Sequence, residues 1–73
     1  MEEEFIIRQY TKKHLALMYF PDSNPRTAVK HLMAWIRLCT PLWSELQTTG
    51  YQKMSKNFTP RQVKLIIEYL GEP

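Results

Sequence analysis

A single cysteine, Cys39, excludes an internal disulfide framework, and two glycines, Gly50 and Gly71, leave no glycine-rich loop to cradle a nucleotide phosphate. No stretch is long and apolar enough for a signal peptide or a membrane span, so a reducing cytoplasm is the expected setting. The residues that catalysis needs are also missing as a set. No nucleophile with a base in helical reach, no carboxylate pair and no metal-ligand spacing can be found. His14 and His31 fall on different predicted helices without a third ligand, which reads as two ordinary surface or edge histidines. No enzyme, metal or cofactor is therefore expected.

What is present is enough to fold. Hydrophobic residues make up 44% of the 73 and charged residues 23%, a globular composition for one small domain. A chain of this length buries only about 60% of the surface its unfolded form exposes, so stability is expected to be modest. The net charge of +3 is unevenly laid out. Glu2, Glu3 and Glu4 form an acidic tail over residues 1–4; without them ten Lys and Arg face only Asp22, Glu45, Glu68 and Glu72, a formal +6. A basic body of this kind suits an anionic partner such as nucleic acid, and equally serves solubility alone.

Proline and cap residues divide residues 5–73 into four helices. Thr11 is placed to cap a first helix running to Tyr19 or Phe20, with Leu15, Ala16 and Tyr19 on one face, and Pro21 stops it. Asn24 then precedes Pro25, and a residue before proline is pushed to the extended angles that an N-cap requires. The second helix gathers Ala28, Val29, Leu32, Trp35, Ile36 and Cys39 into one arc, read as core, with Cys39 a small hydrophobe in it. Thr40-Pro41 repeats the cap-then-proline device and opens a short third helix carrying Leu42, Trp43 and Leu46, closed by Gly50. Thr59-Pro60-Arg61-Gln62 is a capping box for a fourth, with Phe58 able to staple onto Val63 and an apolar series through Val63, Ile66, Ile67 and Leu70 up to Gly71. Residues 5–8 and 51–58 read as coil, with a short pair of extended segments as the alternative.

The same helical wheel places Arg26, Lys30 and Arg37 on one stripe of the second helix, with Thr27, His31 and Ala34 beside it. A capped helix carrying Arg26, Thr27, Lys30 and His31 in its first two turns is what a reader of the DNA major groove presents, and its N-terminus attracts phosphate. Lys53, Lys56 and Arg61 form a second basic group that could grip the backbone. The competing reading is a solvated polar face. Trp43, next to Leu42 and one turn from Leu46, is expected at the core edge, where its ring could dock a protein partner.

The run Ile7-Arg8-x-Tyr10-x-Lys12, Leu15-Ala16-x-x-Tyr19-Phe20-Pro21, Trp35-Ile36, Pro41-Leu42, Gly50-Tyr51, Phe58-Thr59-Pro60-Arg61-Gln62-Val63 and Leu70-Gly71-Glu72-Pro73 resembles a family of short uncharacterised Bacteroides-type proteins. That resemblance implies a bacterial, cytoplasmic setting and no activity. Residues 13–36 also resemble, more weakly, the helix-turn-helix of MerR-like and excisionase-like regulators. They depart from it in having Phe20 where those motifs carry glycine, and in a longer segment up to Trp35, so a plain helical hairpin is the alternative.

The expected fold is thus mainly α: a small four-helix, helix-turn-helix-like single domain with a minor β pair left open. Duplex DNA is the leading partner, through Arg26, Thr27, Lys30, Arg37, Lys53, Lys56 and Arg61, in a regulatory or mobile-element context. A dimer on two half-sites would offset weak binding by one small domain. The alternative is a protein-interaction module using Trp43.

Overall fold

A computed structural model describes residues 5–73; the expected acidic tail, Glu2 to Glu4, lies outside the described residues. The order of elements is β1 (Tyr10–Thr11), α1 (Lys12–Tyr19), α2 (Pro25–Leu38), α3 (Thr40–Thr48), β2 (Asn57–Phe58) and α4 (Pro60–Leu70). The architecture is mainly α with one short antiparallel pair, Tyr10 opposite Phe58 and Thr11 opposite Asn57.

Three of the four helix starts follow from their cap residues. Thr11 accepts the His14 amide at 3.0 Å and Asn24 the Thr27 amide at 2.9 Å, both from extended backbone. Thr59 and Gln62 exchange bonds in a complete capping box, with Pro60 inside the first turn. The start of α3 departs from expectation. Because α3 begins one residue after α2 and Cys39 ends, the cap position falls on Cys39 and not on Thr40, and no side chain caps the helix. A thiol is a weak acceptor; Cys39 contributes its backbone instead, its amide donating to the Trp35 carbonyl and its carbonyl accepting from Trp43. Gly50 and Gly71 both take positive φ, +80° and +86°, where the chain leaves α3 and α4.

The four helices close over one core. Leu15 and Ala16 of α1, Ala28, Leu32 and Ile36 of α2, Leu42 and Leu46 of α3, and Val63 and Ile66 of α4 meet there with Tyr10, Tyr51 and Phe58. Phe58 and Val63, the expected staple, are both fully buried. Trp35 corrects the expected arc, since it is 45% exposed. It stands about 60° around the helix from Leu32, at the edge of the buried stripe, where its indole meets Phe20 edge-on at 4.7 Å and Tyr19 edge-on at 6.4 Å. Val29, about 60° to the other side of Leu32, is half-buried, as is Cys39 just beyond the helix end.

The strand pair replaces the coil preferred for the end of the 51–58 segment, but its first strand is at residues 10–11 and not within 5–8. A two-residue ladder carries almost no periodicity of its own. Its register comes from Tyr10 and Phe58 entering the core together, and from the Lys12 amide donating to the Lys56 carbonyl at 2.8 Å.

Candidate nucleic-acid interface

Two adjoining surface depressions share Lys13 and Val29. One is lined by Lys13, Asn24, Pro25, Arg26, Val29 and Lys30, the other by Lys12, Lys13, Val29, Lys53, Ser55 and Lys56. Six of the ten Lys and Arg side chains thus surround one half-buried valine, and no carboxylate of the described residues lines either depression. Folding creates this grouping. The start of α1, the first two turns of α2 and the 51–56 loop each supply two cations.

The N-terminus of α2 borders the same face through Asn24 and Pro25, and its first turn holds no acidic residue. Its partial positive charge therefore adds to that of the side chains. The free α2 amides are fewer than the helix end would offer alone, because Thr27 donates its amide to Asn24.

Among the residues expected from sequence, Arg26, Lys30, Lys53 and Lys56 come together on this face. Arg37 sits further along α2 with its guanidinium 5.8 Å from the centre of the Trp43 ring. Thr27 is half-buried and Arg61, exposed in the first turn of α4, lines neither depression. Lys12 and Lys13, outside the set expected from sequence, join Arg26, Lys30, Lys53 and Lys56 on that face. The signal available for them was a lysine pair directly after the Thr11 cap, which becomes informative only once the β pair brings residue 12 beside residue 56.

Trp43 is half-buried at the core edge, edge-on to Tyr51 at 6.1 Å, with Arg37 over its ring. The large exposed apolar side chains of α2 are Trp35 and Leu38, the latter 81% exposed. His14 and His31 are both exposed and lie against aromatic rings, Tyr10 and Phe20. Among the described residues, no three His, Cys, Asp or Glu side chains gather as metal ligands would, and no helix is long and apolar enough to cross a membrane.

The fold and this face define a small, mainly α-helical domain with its cations concentrated between α1, α2 and one loop. The chain belongs to the family described as Domain of unknown function (DUF4248), whose model matches residues 6–73. No curated protein and no solved structure is significantly similar to it.

Proposed function

We propose that this domain is a DNA-binding protein, and not an enzyme, that holds duplex DNA against the face formed by α1, α2 and the 51–56 loop. The observation that carries the reading is the set of six cations around Val29 with no carboxylate of the described residues among them. Such a surface neutralises phosphates and releases their counterions, the sequence-independent part of DNA affinity. Helix α1, the turn over residues 20–24 and α2 serve as a helix-turn-helix-like unit, with Arg26 and Lys30 at the start of the helix that approaches the groove. A regulatory or mobile-element role in a bacterial cytoplasm belongs to the same proposal.

The second reading is a protein-interaction module. Exposed Trp35 and Leu38 on α2 support it more than Trp43, whose ring is already covered by Arg37 and Tyr51.

The test is binding of a random-sequence duplex at several salt concentrations, followed by anisotropy. Wild type should bind at low salt, with log affinity falling linearly against log salt. Each of Arg26, Lys30, Lys53 and Lys56 that neutralises a phosphate should make that slope shallower by about 0.9 when changed to Gln. Absence of binding at low salt, or a fourfold Gln variant that binds as wild type does, overturns the proposal.

A further inference from the structure

Lys12 differs from the other cations of the basic face in being half-buried and already engaged. Its ammonium donates to the Tyr51 hydroxyl oxygen at 2.6 Å and to the Lys53 carbonyl at 3.1 Å. It also lies 4.7 Å from the centre of the Tyr51 ring and 5.7 Å from that of Phe58. The backbone takes part as well, through the Lys12 amide and the Lys56 carbonyl. Two of the three ammonium protons are thus spent on the protein, which leaves little for a phosphate.

All these partners belong to the segment between α3 and α4. Within it the Ser55 amide donates to the Gln52 carbonyl at 3.0 Å, and Ser55 and Asn57 exchange bonds at the β2 end. None of those local bonds fixes the turn against α1 or α2. Lys12 does, and Tyr51 extends the tie, its hydroxyl donating onward to Met33 Sδ of α2 at 3.8 Å. Tyr51 itself is 8% exposed and out of reach of a large ligand.

We propose that Lys12 is a positioning residue: with Tyr51 as its strut, it holds the 51–56 loop so that Lys53 and Lys56 join Lys13, Arg26 and Lys30 on one face. This rests on the DNA-binding reading of that face. The ammonium works from inside the protein, and the two loop lysines meet the phosphates. Because Tyr51 carries no charge, its hydroxyl separates placement from charge.

Tyr51→Phe removes the acceptor for Lys12 and no charge at all. At a temperature where the variant is fully folded by circular dichroism, random-duplex affinity should fall several-fold. The salt slope should become shallower by up to about 1.8, the loss of two phosphate contacts, as in Lys53→Gln with Lys56→Gln. Simple destabilisation would lower the folded fraction equally at every salt and leave the slope unchanged. In the Lys53→Gln, Lys56→Gln background, Tyr51→Phe should have no further effect on the slope. A Tyr51→Phe protein with wild-type affinity and slope overturns the positioning role while leaving DNA binding intact. If wild type binds no duplex, the functional reading fails by itself, and hydrogen exchange then judges the tie. In Lys12→Met the Ser55 amide should exchange faster while α4 amides keep their protection, and unchanged exchange at Ser55 overturns the proposal.

Discussion

The Gln62 side-chain amide donates to Thr49 Oγ1 at 2.9 Å, so the residue that completes the α4 capping box also ties α4 to the end of α3. Gln62 is only 4% exposed, and no buried side-chain polar atom among the described residues lacks a partner. Its Oε1 accepts the Thr59 amide, its own amide accepts nothing and donates to Thr49, and Thr49 in turn donates to the Leu46 carbonyl. A local motif thereby fixes the angle between two helices.

Gln62→Ala should cost about 1 to 3 kcal/mol, because it strands the Thr59 amide and removes a buried donor. Gln62→Glu keeps the acceptor for Thr59 and loses the donor to Thr49, so it should fall between wild type and Gln62→Ala at neutral pH. Urea denaturation orders the three proteins. Equal midpoints for Gln62→Glu and wild type would mean that the Thr49 tie contributes nothing.

Two of the three Thr/Asn-Pro pairs, alike in sequence, should respond differently to truncation. Asn24→Ala loses the acceptor for the Thr27 amide and should destabilise by about 1 kcal/mol. Thr40→Ala loses no cap bond, because the cap position of α3 belongs to Cys39. Thermal melts of the two variants should separate, with Thr40→Ala close to wild type.

Burial makes a similar distinction on the apolar faces. Ile66→Ala empties a fully buried site and should cost about 2 to 5 kcal/mol, much of the stability of so small a domain. Trp35→Ala removes a larger side chain from a half-exposed edge and should cost less than Ile66→Ala. A reversed order in chemical denaturation would mean that the Phe20–Trp35 contact, and not the α4 stripe, closes the core.

How much of this was legible depends on the range over which each feature is set. The Thr11, Asn24 and Thr59 caps and the Val63, Ile66 series need only three or four residues of context, and each stands in the structure as the sequence implied. Cys39 escaped because one residue ends α2 and begins α3, which no spacing rule separates. Trp35 escaped because periodicity finds the centre of a stripe better than its edge. The β pair and the joining of Lys12 and Lys13 to the loop lysines depend on contacts some forty residues apart in the chain. The basic stripe of α2 was readable; that its N-terminal half shares a face with α1, while Arg37 covers Trp43, was not.

Alkaline pH offers a test of how the C-terminal end is held. Tyr19 Oη donates to the Gly71 carbonyl at 2.6 Å, and burial, then the nearby Glu72 carboxylate, pushes its pKa from 10.0 to about 12. Between those values the unfolded chain releases the phenolic proton and the folded chain keeps it. The folded state therefore binds more protons, and stability is complete below about pH 10 and lost as pH rises toward 12. Tyr69 adds to the same trend, its pKa raised chiefly by the hydrogen bond it donates to Glu45. Wild type should show a lower urea midpoint at pH 11 than at pH 8. Tyr19→Phe should lose less over that interval, since only the Tyr69 contribution and those common to both proteins remain, even though its midpoint at pH 8 starts lower for want of the Gly71 bond. Glu72→Gln should lie between them, because Glu72 is the smaller of the two causes. If Tyr19→Phe and wild type lose the same amount between pH 8 and pH 11, the Tyr19 hydroxyl is as free in the folded protein as in the unfolded chain, and its bond to Gly71 does not hold the end of α4 against α1.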